Sequence, residues 1–323
     1  MKALHNLVIR LAMAALVFTA TAAFGADDAN KAPDPRERDK VCTRCHDEND
    51  NKPILSIYQT RHGVAADNRT PGCQSCHGTS DDHVRNPGGV SPRPAPEVLF
   101  GTKHASAPDA QNASCLTCHK SGNRTYWTAS EHQNRDLVCA NCHTAHAPRD
   151  PILNKLTQSD VCFACHKTQR AQIHYISTHP ILVGKTACSD CHNPHGSTAP
   201  KMLVKDTVNE TCYTCHAEKR GPFLWEHSPV VDDCTNCHTP HGTTKPPLLK
   251  ARVPFLCQEC HSGDHGQAVN SGANLPSGNA TTVNGQQPLA NQSPRAQTNA
   301  KACLNCHVLV HGSNHPAGAK YQR

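Results

Sequence analysis

The nine residues "CSDCHNPHG", from Cys188 to Gly196, bring two cysteines and two histidines into one short stretch. The first five of them form the unit Cys-x-x-Cys-His, and a second histidine follows three positions after the first. The same arrangement recurs as "CANCHTAH" from Cys139 and as "CTNCHTPH" from Cys234. The five-residue unit and the added histidine are therefore the features that decide fold and chemistry.

Every cysteine of the chain belongs to such a unit. The 323 residues include 20 cysteines, which form ten Cys-x-x-Cys-His motifs with none left over. This pentapeptide is the attachment site of c-type haem, because its two thiols reach the two vinyl groups on one porphyrin edge and the adjacent imidazole faces the iron. Zinc sites and disulfides also use paired cysteines, but neither requires a histidine after every second cysteine. The sequence therefore predicts ten covalently bound haem c groups.

The motifs name the residues of these ten sites directly. The predicted attachment residues are Cys42, Cys45, Cys73, Cys76, Cys115, Cys118, Cys139, Cys142, Cys162, Cys165, Cys188, Cys191, Cys212, Cys215, Cys234, Cys237, Cys257, Cys260, Cys303 and Cys306. The predicted proximal iron ligands are His46, His77, His119, His143, His166, His192, His216, His238, His261 and His307.

The composition indicates that the haems supply the hydrophobic core. Aromatic residues make up only 4% of the chain, and its mean hydropathy is -0.59. A chain this polar cannot offset the entropy lost on folding with its own side chains alone. Its 24 prolines and 19 glycines favour short elements. We expect a multihaem c-type cytochrome of mostly irregular coil, with short α-helices around an elongated file of ten haems and little or no β-sheet.

The remaining histidines are sufficient to supply a second ligand for every iron. Of the 24 histidines, ten close motifs and His5 lies in the leader, which leaves thirteen. Methionine, the usual alternative ligand, occurs outside the first 25 residues only as Met202. We therefore expect bis-histidine irons of low potential and no open catalytic position, hence an electron carrier and not an enzyme. The enzyme alternative stays open at this point, since spare histidines do not prove that every iron has two.

The added histidine of the repeated motif is predicted to bind a neighbouring iron. A short turn containing proline holds His195 close behind His192, so His195 cannot easily reach the opposite face of the same iron. The motifs recur as two-haem repeats over 139–187, 188–233 and 234–270. The repeats nominate as distal ligands His146, His179, His195, His227, His241 and His265.

The other four haems are assigned less directly. Histidines that lie near motifs nominate as their distal ligands His62, His83, His132 and His311. His104 and His315 are the expected spares, and His174 has no counterpart in the other repeats, so we expect it at the surface.

The chain begins with the pattern of a cleaved signal peptide. Lys2 and Arg10 precede the apolar run 11–24, and small residues follow near Gly25. We expect removal of residues 1–25, export to the periplasm, and a single decahaem domain over 26–323, with the stretch 262–300 as a loop. The formal charge of +6 falls to +4 without the leader. Ten ferric haems with ionised propionates contribute roughly -1 each, so the basic sequence is not evidence for nucleic-acid binding.

Several segments resemble the MtrA/MtoA/PioA family of decahaem cytochromes, the DmsE type. They include "ACSDCHNPHGS", "NETCYTCHAEKRGPFLWEHSPV", "DCTNCHTPHG", "FLCQECH" and the ending "ACLNCHVLVHGSNHPAG". The resemblance covers roughly residues 38–323. It implies a periplasmic cytochrome whose near-linear file of bis-histidine haems lies inside a porin-like outer-membrane β-barrel. The ten nominated distal histidines match the family's positions, and so does His315, whereas His104 and His174 depart from them.

The resemblance also implies the partners. They would be the barrel protein, periplasmic electron carriers, and an extracellular multihaem cytochrome or terminal reductase. Such a complex carries electrons across the outer membrane for metal reduction or iron oxidation. The alternative is a soluble periplasmic shuttle or a multihaem reductase subunit, and co-purification with an outer-membrane barrel would separate the two.

Overall fold

The computed structural model describes residues 35–47, 53–64, 69–101, 105–261 and 303–322. The predicted signal peptide, His104, His265 and the predicted loop over 262–300 lie outside these residues. Short helices, turns and coil make up the described part of the chain, with four isolated β-bridges and no strand. The prediction of short helices and coil with little or no β-sheet is confirmed.

The helices are short and occur along the whole described chain. The α-helices span Pro35–Thr43, Cys73–His77, Asp81–Arg85, Pro108–Leu116, Gln158–Phe163, Lys167–Gln172, Cys188–Cys191, Val208–Tyr213, Ser228–Asp232 and Phe255–Gln258. The 3-10 helices span Ile54–Gln59, Arg61–Gly63, Gly122–Arg124, Gln133–Arg135, Cys139–Asn141, Pro151–Leu153, Pro200–Met202, Ala217–Lys219, Cys234–Asn236, Cys303–Asn305 and Gly318–Lys320.

The ten haem motifs alternate between two local structures. In the odd-numbered motifs the first cysteine lies near the end of a helix, as Cys115 does in Pro108–Leu116. In the even-numbered motifs the first cysteine begins the helix, as in Cys73–His77 and Cys234–Asn236. The odd motifs therefore supply a preceding helical turn, and the even motifs expose the backbone N–H groups that begin a helix.

Side chains from the odd helices cap the even ones. The Oδ1 atom of Asn112 accepts a hydrogen bond from the backbone N–H of Cys139 at 3.0 Å, and Oδ1 of Asn209 accepts one from Cys234 at 2.7 Å. Asp39 does the same for Cys73 at 2.8 Å. All three capping side chains are buried. Because an Asn or Asp oxygen satisfies an N–H that the helix cannot, each contact joins two consecutive haem motifs.

The fourth cap is displaced by one residue. The Oε1 atom of Gln158 accepts from the backbone N–H of Ser189, one position after the first cysteine of that motif, at 3.0 Å. Its Nε2 donates to the hydroxyl of Ser189, also at 3.0 Å. The longer Gln side chain therefore serves the same junction as the Asn and Asp caps.

Few apolar side chains of the described chain are buried. They are Trp127, Val138, Phe163, Ile173, Ile181, Ala187, Leu203 and Leu249. Large apolar residues such as Ile176, Leu224 and Phe255 are mostly exposed to solvent in the protein alone. So small an apolar core is the one expected of a chain whose porphyrins provide most of the buried apolar surface.

The chain forms two compact units. One comprises Met1–His119 with Val138–Asp150, and the other comprises Lys120–Leu137 with Pro151–Arg323. The single-domain organisation over 26–323 stays a prediction. In the described residues, no helix has the length and apolar character needed to cross a bilayer.

Candidate haem-binding sites

The first cysteines of consecutive motifs meet in pairs. Their side chains interact with each other in five pairs, which are Cys42 with Cys73, Cys115 with Cys139, Cys162 with Cys188, Cys212 with Cys234, and Cys257 with Cys303. All 20 cysteines are free of disulfides. Haems attached to such a pair of cysteines would lie next to each other.

Eight motif histidines each face a second histidine across a gap that fits one iron. The pairs are His46 with His83, His119 with His62, His77 with His146, His166 with His132, His216 with His179, His192 with His241, His261 with His227, and His238 with His311; their ring centres lie 5.9 to 6.4 Å apart. An iron–nitrogen bond of about 2.0 Å on each side, with each ring centre about 1.1 Å behind its nitrogen, gives roughly 6 Å between two imidazoles on one iron. The observed separations match this value.

Eight of these paired histidines, together with His143 and His307, turn Nδ1 toward an acceptor of the protein. Nδ1 is within 2.6 to 3.1 Å of a backbone carbonyl oxygen in His77, His83, His132, His146, His179, His192, His227, His238 and His307. In His143 the acceptor is Oδ2 of Asp150, at 2.7 Å. A carbonyl or carboxylate partner places the ring proton on Nδ1 and leaves the Nε2 lone pair for a metal.

His315 shows the opposite arrangement. Its Nδ1 accepts a hydrogen bond from the backbone N–H of Ala317 at 3.1 Å, so the proton of the neutral ring lies on Nε2. The side chain is exposed. His311 instead is half-buried and faces His238. Of the two C-terminal histidines, His311 therefore has the geometry of an iron ligand.

Burial favours the neutral form of several of these imidazoles. Desolvation is the largest cause that lowers the pKa of His77, His227, His238, His241 and His311. Neutral imidazole is the form that binds a metal. Their surroundings therefore favour iron ligation over protonation.

The second histidine of the repeated motif faces the histidine of another motif. The ring of His241 lies 6.1 Å from that of His192. The histidine of its own motif, His238, faces His311 at 6.2 Å instead. This is the arrangement expected of a ligand that serves a neighbouring iron.

The prolines of the repeated motif orient further histidines. The carbonyl oxygen of Pro194 accepts from Nδ1 of His132 at 2.7 Å, and that of Pro240 accepts from Nδ1 of His179 at 2.8 Å. Each of these histidines faces the histidine of yet another motif. One copy of the sequence His-x-Pro-His thus takes part in the surroundings of three irons.

The spacer between the second and third motifs has a similar role. Nδ1 of His83 lies 2.7 Å from the carbonyl oxygen of Pro94. The guanidinium of Arg93 donates to the carbonyl oxygens of His83 and Val84 at 2.7 and 3.0 Å. This proline-rich segment therefore positions His83 opposite His46.

Two buried donors, one of them beside His195, fit the polar groups of a haem. Nε of Arg124 and Nε1 of Trp127 have no hydrogen-bond partner among the described residues. Trp127 is 7% exposed, and its ring centre lies 6.4 Å from that of His195. Because a buried N–H without an acceptor is costly, and a haem propionate is a strong acceptor, these residues fit a bound haem.

His174, which the repeats leave without a role, is exposed to solvent. The spacing of the motifs does not predict the roles of Asp39, Asn112, Gln158 and Asn209, which join consecutive motifs, or that of Asp150. A signal for three of them exists, since an Asp or Asn stands three residues before the first cysteine in "DKVC", "NASC" and "NETC". Asp150 has no such signal, because it stands in only one copy of the repeated motif.

Comparisons with known proteins agree with this geometry. Residues 179–221 and 227–266 match the family model for a doubled CXXCH motif, and residues 73–159 match that of the NrfB-like c-type cytochrome proteins. A multihaem cytochrome MtrA of Shewanella baltica (strain OS185) is 42% identical over 287 residues, which are 87% of this chain and 80% of that protein.

The two family models together contain seven of the ten haem motifs, those that begin at Cys73, Cys115, Cys139, Cys188, Cys212, Cys234 and Cys257. They show a c-type cytochrome with several covalently bound haem c groups, a type of protein that carries electrons. The chain belongs to the MtrA family of multihaem cytochromes.

Proposed function

We propose that the chain is a decahaem electron wire in which every iron carries two histidines. The observation that carries this proposal is the set of eight facing histidine pairs at 5.9 to 6.4 Å. His195 and His265 complete the set of ten distal ligands. His195 serves an iron other than that of its own motif, because His192 already faces His241.

Such ligation makes the protein a carrier and not an enzyme. Two imidazoles fill both axial positions of an iron, which leaves no position for a substrate. Bis-histidine ligation without a methionine also favours low potentials. The bound haems supply the redox chemistry, while the chain fixes their order, their spacing and the electron density on their ligands.

The paired cysteines support electron hopping from haem to haem. Consecutive attachment cysteines are in contact in five pairs, and buried Asn, Asp or Gln side chains hold four of these junctions. The second histidines of the repeated motif join further motifs, as His241 does with that of His192. The two haems of each pair then lie at short range, and the second histidines bring one pair close to another.

The proposed place of this wire is the outer membrane. The signal-peptide pattern at residues 1–25 supports export to the periplasm. The similarity to an MtrA cytochrome supports insertion into a porin-like β-barrel partner. There the chain exchanges electrons between periplasmic carriers and an extracellular multihaem cytochrome or terminal reductase. The same wire serves metal reduction or iron oxidation, since direction depends on the potentials of its partners.

The NrfB-like match over residues 73–159 favours one second candidate, a soluble periplasmic shuttle or subunit of a multihaem reductase. The two functions differ in what the protein binds. A conduit forms a stable complex with a membrane barrel, whereas a shuttle makes brief contacts with soluble partners.

Affinity purification from the native host separates the two functions. The holoprotein with a C-terminal tag would be extracted from isolated outer membranes in mild detergent, with an equally tagged monohaem periplasmic cytochrome as control. We expect a β-barrel protein and a surface cytochrome to co-purify at fixed ratios with the decahaem chain only. Recovery of the chain solely in the osmotic-shock fluid, without a membrane protein, would refute the conduit.

A further inference from the structure

The copy of the repeated motif at Cys139 differs from the other two in how it holds its proximal histidine. In the copy at Cys188, Nδ1 of His192 bonds the carbonyl of Lys201 at 2.9 Å, and the next backbone N–H, of Asn193, bonds that of Met202 at 2.7 Å. The histidine of this copy is therefore held by two neutral carbonyls from one short stretch of backbone.

The copy at Cys234 uses the same backbone arrangement. Nδ1 of His238 lies 3.1 Å from the carbonyl of Pro247, and the N–H of Thr239 bonds the carbonyl of Leu248 at 2.7 Å. In both copies the backbone partner of the histidine comes nine residues after it.

In the copy at Cys139 a single carboxylate replaces both carbonyls. Oδ2 of Asp150 lies 2.7 Å from Nδ1 of His143, and Oδ1 lies 3.3 Å from the backbone N of Thr144. Asp150 comes only seven residues after His143, and its side chain is 15% exposed. The two carboxylate oxygens thus occupy the positions of two successive backbone carbonyls, but they carry a negative charge.

The negative charge of Asp150 affects the electronic properties of the His143 imidazole as well as its position. A carboxylate that accepts the Nδ1–H bond of an imidazole raises the electron density and basicity of the ligating nitrogen. A more basic axial ligand stabilises ferric over ferrous iron, and hydrogen bonds of this kind are one of the levers that set haem potentials. In the other nine Nδ1 bonds described above, the acceptor is neutral.

We propose that Asp150 is a tuning residue that gives His143 imidazolate character and lowers the potential of the haem at Cys139 below the value a carbonyl partner would set. Electrons would then spend less time on this haem than on its neighbours. The proposal needs only haem attachment at Cys139 with His143 as its proximal ligand, so it stands or falls independently of the outer-membrane conduit.

The variant Asp150→Asn tests it, because Asn keeps a carbonyl oxygen and loses the charge. Glu218→Gln is the matched control, since Oε1 of Glu218 stands 3.9 Å from Nδ1 of the motif histidine His216, too far for a hydrogen bond. Both holoproteins would be compared with the wild type by electron paramagnetic resonance and by redox titration. We expect Asp150→Asn to change the g values of one low-spin ferric signal and to move one tenth of the titrated haem to a more positive potential.

The control is expected to keep all wild-type g values. Unchanged spectra and titration in Asp150→Asn, or the same change in both variants, would overturn the proposal. Should Asp150→Asn fail to bind its full complement of haem, the proposal is tested by comparing the low-spin signals of the wild type and of Asp150→Glu. One low-spin signal with imidazolate-type g values must be present in the wild type and retained in Asp150→Glu, and its absence from the wild type would also overturn the proposal.

Discussion

The three copies of the motif Cys-x-x-Cys-His-x-x-His end in two different ways. In the copies at Cys188 and Cys234 the chain folds back on the motif, as the bridges of His192 with Leu203 and His238 with Leu249 show. In the copy at Cys139 the carboxylate of Asp150 takes the place of the returning backbone. The same eight-residue pattern therefore fixes the haem site but leaves the surroundings of its histidine free to vary.

A second difference follows the added histidine. The copies at Cys188 and Cys234 continue with Gly196 and Gly242, at φ +105° and +140°, whereas the copy at Cys139 continues with Ala147. A Cβ on Gly196 would collide with the carbonyl oxygen of Tyr126, and one on Gly242 with that of Gln172. Glycine is required where the motif is pressed against another backbone segment, and alanine suffices in the first copy.

The largest effect is expected from adding a Cβ atom where Gly242 approaches the backbone of Gln172. Gly242→Ala combines a φ that strains an L-residue, at about 1 to 3 kcal/mol, with a clash against rigid backbone. The adjacent His241 would be displaced from His192, so one haem should become high-spin. Thermal unfolding and electron paramagnetic resonance of the holoprotein measure both effects. Ala147→Gly, at the equivalent position, should cost no more than about 1 kcal/mol; equal losses in both variants would refute the comparison.

Removal of a second histidine shows which iron it serves. His241→Ala should produce one high-spin haem, because the described geometry pairs His241 with His192. The signal should disappear in a variant that also carries Cys188→Ala and Cys191→Ala and so lacks that haem. A high-spin signal that persists there would mean that His241 serves a different iron.

The caps of the three copies predict a graded effect on stability. Asn209→Ala removes the cap of Cys234 and two bonds from its amide to the carbonyls of Val230 and Val231, at 2.9 and 2.8 Å. We expect a loss of about 2 kcal/mol in the free energy of unfolding, and about 1 kcal/mol for Asn112→Ala at the copy that begins with Cys139.

The exposed Asn134→Ala is the control for these caps, with an expected change within about 0.5 kcal/mol. Denaturant titration of the holoproteins gives the order. A loss from Asn134→Ala as large as that from Asn209→Ala would argue against a role of the caps in joining motifs.

The smallest effects are expected at His174 and His315, two described histidines that are not assigned to any iron. His174 is exposed and His315 holds its Nδ1 toward an N–H donor. His174→Ala and His315→Ala should leave the number of low-spin haems and the redox titration unchanged. A new high-spin signal in either variant would identify that histidine as an iron ligand.

The cysteine and histidine spacing predicts most of what is local in this molecule. The attachment residues, the proximal histidines and the helical turns at the motifs follow from five consecutive residues, because thioether geometry is local. The repeats also nominate His179 and His241 as distal ligands. Which motif each of them faces depends on contacts between residues distant in the sequence, such as His179 with Pro240.

The remaining features lie outside any pattern of the motif itself. Asp39, Asn112 and Asn209 cap a motif that begins 25 to 34 residues away, at Cys73, Cys139 and Cys234. Their place three residues before a first cysteine marks them in the sequence, but it does not show which motif each of them caps. Asp150 takes the place of backbone carbonyl groups, which every residue type carries. Backbone acceptors leave no signature in a sequence, and a side chain that substitutes for them therefore leaves none either.

The central claim is that each iron is held by two imidazoles, and counting spin states tests it most directly. The measurement is quantitative electron paramagnetic resonance of the fully oxidised holoprotein, with a parallel assay of haem per chain. The account predicts ten haems, all low-spin, that reduce over a broad range of low potentials. One or more high-spin ferric haems in the wild-type protein would contradict it, since an iron with an open position belongs to an enzyme and not to a wire.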